Sequence, residues 1–385
     1  MKPLHWVRGR GLERLLAQET NISDLIQLLT DRDPSPWDDL VGFVPVAADR
    51  EGLKSDNKAD LLLTGEARSA VVEVKLGHLM STEQQAAYES IASRPDLYLA
   101  ALSSDKVRLP PDSRWSFLSL SKLIGAWAGS EDEFARLLAA ETASVLRSWD
   151  TMIQGVFSER SAADWQPISA LTQKFLARVV TRRIERDLDE IGKDLDEEDR
   201  KDRRRWARAM VTSGGGRPIV ECWTPIRDES YDRSFIAEIR WSETMPVGEL
   251  RFGVDFDPRP DSVEDEEVRR AAYDLARSMD AAIDYEGLNA YLTEEEPELV
   301  KLVSGKGRGR PDATGDFERV IVHGFAGAPL ADGSTNNRTK THPDFLGDGA
   351  CRHEASATID FGQASALDLI ELIDATLRYL SSQQP

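Results

Sequence analysis

The sequence has few cysteines and no long apolar run, and both absences limit what the protein can be. Its 385 residues include only two cysteines, Cys222 and Cys351, which have neither metal-ligand spacing nor the number needed for a disulfide framework. No stretch approaches the ~20 apolar residues that span a bilayer, and the first residues lack the apolar segment and cleavage site of a secretory signal. We therefore expect a protein of the reducing cytoplasm that has no membrane partner.

Positive charge is also scarce. The chain has 48 Lys and Arg against 68 Asp and Glu, a formal net charge of −20, which would repel a phosphate backbone. The surplus of acidic residues is distributed unevenly along the chain. Residues 1–128 hold 15 basic and 18 acidic residues, a net charge of −3, which leaves −17 for the remainder. A nucleic-acid partner therefore remains compatible with the N-terminal part, and the acidic remainder is expected to serve solubility or a protein partner.

One short segment of the N-terminal part carries ionisable residues where apolar ones are expected. Glu73 and Lys75 interrupt the apolar run Ala70–Leu76, and the period-2 alternation of a strand puts both on one face. Asp60 begins the preceding apolar run, and a glycine turn allows the two runs to pair as a hairpin. The hairpin could bring the carboxylate of Asp60 beside that of Glu73.

Two carboxylates held together in this way favour a bound cation. At ~4 Å and an effective dielectric constant of ~20 they repel by about 4 kcal/mol. Mg²⁺ prefers oxygen ligands, often takes one or two carboxylates, and completes its shell with water and substrate phosphate. Such an ion, beside an ammonium group, would promote deprotonation of water and offset charge on a phosphoryl oxygen during attack. The pattern indicates phosphodiester hydrolysis.

These residues resemble a known motif. Asp60 followed by Glu73, Val74 and Lys75 is similar to the motif of the PD-(D/E)XK nuclease superfamily, although alanine stands before Asp60 where the family usually has proline. The resemblance covers about residues 10–130. It implies that Asp60, Glu73 and the carbonyl of Val74 bind Mg²⁺ or Mn²⁺. It also implies that Lys75 orients or activates the attacking water and stabilises the pentavalent phosphate.

Two further motifs extend the resemblance. Gln84 and Tyr88 match the QxxxY helix motif of the RecB-like branch, and their spacing puts them on one helical face, where they would position substrate or lysine. The family often carries a glutamate in the helix ahead of the first core strand. Glu19 is our choice to complete the metal shell, with Glu13 as the weaker alternative. The activity implied is cleavage of DNA, favoured over RNA, in restriction, repair or phage defence.

The resemblance also implies an α/β fold, with a restriction-endonuclease-like αβββαβ core and a mixed central sheet in residues 1–150. Apolar periodicity places the elements after the first helix as follows. They are a first strand Val41–Ala47, hairpin strands Ala59–Thr64 and Ala70–Leu76, a helix Ser81–Ser93 and a closing strand Leu97–Leu102.

The rest of the chain carries no motif that we recognise. Trp115–Ala128 is predicted to be a strand leading into a helix, Glu131–Trp149 to be helical, and residues 151–212 to be a charged helical connector built on Ile168–Met210. Residues 213–385 are predicted to form an α+β domain. Its elements are antiparallel strands Pro218–Trp223, Ser234–Trp241 and Glu249–Phe256, helices Val263–Ser278, Ala281–Leu292 and Ser365–Ser381, and a strand Arg319–His323.

Other interpretations stay open. Glu73 and Lys75 could form an ordinary ion pair, and the chain could be an inactive nuclease-fold protein that binds or regulates. The acidic C-terminal region could instead carry the function. It contains an RGRP sequence ending at Pro311, similar to an AT-hook core, and two histidines near Cys351, whose irregular spacing does not favour zinc. A homodimer would suit cleavage of both DNA strands, but no segment identifies an interface.

Overall fold

The fold consists of two β-sheets and the helices packed on them. The computed structural model describes residues 4–5, 9, 11–50, 59–77, 80, 82–91, 94–109, 113–193, 204–210, 217–226, 233–242, 244–245, 247–256, 270, 274, 277–307 and 351–383. The strands are β1 (Leu4–His5), β2 (Ala47–Asp49), β3 (Leu61–Thr64), β4 (Ser69–Lys75), β5 (Asp96–Ala101), β6 (Trp115–Ser119), β7 (Trp206–Met210), β8 (Ile219–Pro225), β9 (Arg233–Trp241), β10 (Thr244–Met245), β11 (Val247–Phe256), β12 (Val303–Ser304) and β13 (Cys351–Asp360). The helices are α1 (Leu12–Leu16), α2 (Glu19–Arg32), α3 (Trp37–Val41), α4 (Thr82–Glu89), α5 (Leu120–Gly125), α6 (Glu133–Val156), α7 (Lys174–Glu190), α8 (Tyr285–Glu295) and α9 (Ala366–Ser382).

The first sheet has five strands in the order β2-β3-β4-β5-β6. Its first three strands are antiparallel neighbours, whereas β4, β5 and β6 run parallel, so the sheet is mixed as predicted. Alternation along β4 divides its side chains between two cores. Val72 and Val74 face the main core, while Val71 joins a smaller core with Tyr88 of α4. Glu73 and Lys75 share the face of Val71.

The second sheet is antiparallel, in the order β12-β13-β11-β9-β8-β7. One face, with Phe235 and Phe252, packs into the main core, and α7 and α9 contact this sheet. The other face is charged and buried. There Arg352 donates to Glu221 and Glu238 at 2.7 Å each and to Asp255 at 3.3 Å. Within the described residues no helix is long and apolar enough to cross a membrane.

Most of the predicted N-terminal elements are confirmed, but the first strand is wrong. β3 and β4 pair as the predicted hairpin, and β5 and β6 follow as expected. Val41 instead ends α3, because Gly42 adopts a left-handed φ of 78° that terminates the helix. The strand starts only at Ala47, and α4 ends at Glu89, short of the predicted Ser93.

The predicted charged helix Ile168–Met210 is also corrected. α7 ends at Glu190 and one of its sides is buried, through Val180 and Ile184. Trp206–Met210 is an edge strand, since its backbone pairs with β8. The predicted domain limits at residues 150 and 212 stay predictions.

The three predicted strands of the C-terminal region are confirmed as a meander, and so is the final helix, which Ser365 caps through a capping box with Asp368. The helix predicted from Ala281 begins at Tyr285, after an Asp284 cap. Strand β13, with Cys351 at its start, was not predicted. The RGRP segment, strand Arg319–His323, His342 and most of helix Val263–Ser278 lie outside the described residues.

Candidate active site

The predicted site residues come from four parts of the chain that meet near the end of β4. Two stand on β4 itself, two on the helix that covers its polar face, one directly before β3 and one at the start of α2. They are Glu73 and Lys75, Gln84 and Tyr88, Asp60, and Glu19.

Glu73 is the centre of the hydrogen-bond network. It is only 2% exposed, and a buried carboxylate is costly unless donors surround it. Its Oε1 accepts from Lys75 Nζ at 2.6 Å and from Gln84 Nε2 at 2.7 Å. Its Oε2 accepts from the hydroxyl of Tyr88 at 3.0 Å. The QxxxY helix therefore holds the carboxylate of the ExK strand directly.

Asp60 and Glu19 bind the backbone edge of β4. Strand β3 begins at Leu61, opposite Val72, so the N–H groups on that edge of β4 beyond Val72 have no partner in β3. Asp60 Oδ2 accepts from the N–H of Val74 at 2.9 Å, and Glu19 Oε1 accepts from the N–H of Leu76 at 2.7 Å. In an extended strand the N–H and C=O of one residue point to the same edge, so the carbonyl of Val74 shares this edge with both acids.

The electrostatics of the site show an excess of negative charge. Burial and the neighbouring charge of Glu73 raise the pKa of Asp60 from 3.8 to about 6, against the hydrogen bond from Val74 and the charge of Lys75. Burial alone would lower the pKa of Lys75, but the charge and hydrogen bond of Glu73, with Glu19 and Asp60, raise it. Lys75 therefore stays protonated at neutral pH, and one ammonium faces three carboxylates.

The oxygen atoms beside β4 are potential ligands for a divalent cation. No group of three or more His, Cys, Asp or Glu side chains in the described portion is disposed to hold a metal ion. Asp60, Glu73 and the Val74 carbonyl nevertheless form an all-oxygen set with two carboxylates, which is sufficient for Mg²⁺. No hydrogen bond among the described residues uses Oδ1 of Asp60 or Oε2 of Glu19. The donor chemistry fits a hard cation, whose charge would offset the repulsion that raises the pKa of Asp60.

One neighbour of the site was missed by the sequence argument. Gly77, two residues after Lys75, has φ 75°, and a Cβ at this position would lie 3.0 Å from Cγ1 and 3.1 Å from Cα of Val179. Helix α7 thus packs directly against the chain that leaves the site. A glycine directly after the strand could have indicated a turn or a close backbone approach, but nothing in the sequence indicates which helix Gly77 contacts.

Comparison with models of protein families, with curated proteins and with solved structures finds no match for this chain. Inferences about chemistry therefore depend on the site itself. Its main features are a buried, fully bonded Glu73, a charged Lys75, and two further carboxylates on the open edge of β4.

Proposed function

We propose that the protein is a metal-dependent nuclease that hydrolyses phosphodiester bonds of DNA, with Mg²⁺ as its ion and Mn²⁺ as a substitute. The observation that carries the proposal is the convergence of Asp60, Glu73 and Lys75, together with the bonds that Gln84 and Tyr88 make to Glu73. The element order α2-α3-β2-β3-β4-α4-β5 supports it, since apart from the short helix α3 this is the αβββαβ order of the restriction-endonuclease-like core that the resemblance implies.

The chain's own residues would divide the work as follows. Asp60, Glu73 and the Val74 carbonyl would hold the ion, which when bound promotes deprotonation of water and offsets phosphoryl charge. Lys75 would donate hydrogen bonds to the attacking water or to a non-bridging phosphate oxygen, because its raised pKa makes it a poor proton acceptor. Tyr88 would keep Glu73 in place through its hydroxyl.

The reaction would add water across one P–O bond. The water oxygen attacks phosphorus, and the sugar oxygen leaves with the bonding electrons and takes up one proton. The second proton of the water stays on the new phosphate oxygen or passes to solvent. Glu19 would help to hold the β4 edge in place, since its carboxylate binds the N–H of Leu76. We propose DNA as the substrate and the reducing cytoplasm as the place of action, where the buried thiol of Cys222 stays reduced.

A second candidate is a regulatory protein that keeps the fold without cutting. It is favoured by the fact that Glu73 already has protein donors on both oxygens, so Lys75 and Glu73 also make sense as a buried structural pair. In that case Asp60 and Glu19 would have only a backbone-capping role.

Cleavage of supercoiled plasmid and of labelled DNA and RNA oligonucleotides tests the proposal. Wild type, Lys75→Ala and Asp60→Asn are compared with Mg²⁺, Mn²⁺ or EDTA. The control is Lys301→Ala, which removes an exposed lysine that pairs with Glu298. We expect cutting by wild type and the control only with metal, and a loss of at least about 100-fold in both site variants. Equal background in all four proteins would reject the enzyme and select the regulatory candidate.

A further inference from the structure

The first part of helix α7 is cationic, whereas its last turns are mixed and contain Glu185, Asp187, Asp189 and Glu190. Residues 174–184 contain four basic side chains and no acidic one, although the whole chain has a net charge of −20. Spacing of four residues puts three of them on one face, while Leu176 and Val180 point into the core. We call these three the α7 basic face: Lys174, Arg178 and Arg182.

Arg178 is the unusual member of the face. It is half-buried, its Nε is inaccessible to solvent, and none of its atoms has a hydrogen-bond or ion-pair partner among the described residues. Burial lowers its pKa, and no nearby acid offsets the change. Arg186 on the same helix instead donates to Asp187 at 2.6 Å. Nε of Arg178 is shielded from water and bonded to no acceptor among the described residues, which costs stability, so an anion is the partner that would satisfy this guanidinium.

The position of α7 connects this arginine to the candidate site. Val179, next to Arg178, lies against Gly77, where a Cβ would be 3.1 Å from Val179 Cα. Adjacent Cα atoms are ~3.8 Å apart, so at most about 16 Å separates the Cα atoms of Arg178 and Lys75. Nucleotides along one DNA strand advance ~3.4 Å each, so the backbone positions of Arg178 and Lys75 are separated by no more than the length of about five nucleotides.

We propose that the α7 basic face binds the phosphate backbone of the DNA beside the cleavage site, with Arg178 as the main contact. The inference rests on the proposed function, which supplies a phosphodiester substrate at Lys75. The planar guanidinium of arginine matches a phosphate in a bidentate manner. The face gives an acidic protein a local means to overcome repulsion from its own charge.

Fluorescence anisotropy with a labelled duplex of about 20 base pairs tests this, in EDTA and in a Lys75→Ala background so that no cutting occurs. Arg178→Gln is compared with Arg136→Gln, which removes the same charge from an exposed position of helix α6. We expect Arg178→Gln to weaken binding about tenfold near 150 mM salt and to reduce the slope of log K against log salt by about 0.9. Arg136→Gln should stay within about twofold of its parent, with the slope unchanged.

Arg178→Lys separates charge from geometry. It should keep the slope and recover part of the affinity, because an ammonium neutralises a phosphate without the bidentate fork. Thermal unfolding of each variant shows that it is folded, and Arg178→Lys provides the comparison if Arg178→Gln is not.

Equal slopes and affinities for the two glutamine variants would overturn the inference, and so would the absence of duplex binding near 50 mM salt. The cleavage assay with wild type decides the proposed nuclease function independently of these outcomes. Cutting by wild type together with an unchanged Arg178→Gln slope would reject only the α7 basic face.

Discussion

Replacing Asp60 with Asn is expected to stabilise the metal-free protein near neutral pH. Burial and the charge of Glu73 raise the pKa of Asp60 by about two, from 3.8 to about 6. Each unit corresponds to about 1.36 kcal/mol, so ionised Asp60 costs the folded state up to about 3 kcal/mol. Asparagine removes the charge, and its side-chain oxygen can still accept from the N–H of Val74.

The pH dependence follows from the direction of the shift. Folded Asp60 holds its proton more tightly than the unfolded chain does, so its contribution to stability falls as pH rises between 3.8 and about 6. Below this window the carboxyl is protonated in both states and costs nothing. Above about pH 6 the carboxyl of Asp60 is ionised in both states, and its full destabilisation of the folded state is present. The advantage of Asp60→Asn should therefore be small near pH 4 and reach its maximum above about pH 6.

Urea unfolding in EDTA, followed by tryptophan fluorescence from about pH 4 to pH 8, measures the difference between the two proteins. Asp39→Asn, which changes an exposed aspartate, is the control and should stay within about 0.5 kcal/mol of wild type. Parallel pH profiles for wild type and Asp60→Asn, or a less stable Asp60→Asn near pH 8, would refute the electrostatic argument.

Adding Mg²⁺ extends the same test to the proposed ligand role. A ligand that binds only the folded state stabilises by about 2.7 kcal/mol at a concentration 100 times its dissociation constant. Wild type should gain this stability on addition of Mg²⁺, whereas Asp60→Asn should gain clearly less. The greater unfolding free energy of Asp60→Asn in EDTA should therefore shrink, or wild type should become the more stable protein. Equal gains would exclude Asp60 as a metal ligand.

Three further substitutions test how the site and the second sheet are held together, each measured by urea unfolding. Tyr88→Phe removes a donor from the buried Glu73 and should cost about 1–3 kcal/mol and lower cleavage, whereas unchanged stability would mean that the hydroxyl bond is unimportant. Gly77→Ala puts a Cβ at φ 75° against α7 and should cost at least about 1–2 kcal/mol; a neutral result would contradict the close contact. Arg352→Ala removes a guanidinium that donates to three buried carboxylates and should cost about 3–5 kcal/mol, and a loss below about 1 kcal/mol would contradict the buried network.

The hairpin and the site residues on it could be predicted from the sequence because the residues that form them are close together along the chain. Charged residues that interrupt an apolar strand at period 2 must share one face, and Gln84 and Tyr88 follow the same logic on a helix. The choice of Glu19 depended on the resemblance, not on spacing. Its contact with the N–H of Leu76 joins residues 57 positions apart, which no local pattern reveals.

The errors have a different origin. An apolar stretch such as residues 41–46 suits a helix end or a strand equally well, and only the backbone at Gly42 decides. Strand β13 alternates alanines with charged and polar residues, and its charged face is buried only because β8 and β9 bring acids to Arg352. Long-range pairing, not composition, makes this segment a strand of the core. The contact between Val179 of α7 and Gly77 is also long-range, so the sequence pattern did not predict it.

The charge balance of the site favours a cation over a purely structural role. Lys75 and Glu73, oriented by Gln84 and Tyr88, already form a complete ion pair. The edge of β4 needs acceptors for two N–H groups, but neutral Asn or Gln side chains would serve as well. Asp60 instead brings a charge that raises its own pKa to about 6 and weakens the folded state. A carboxylate that costs stability without a counter-ion, where a neutral amide would serve the backbone as well, is what the proposed Mg²⁺ site requires.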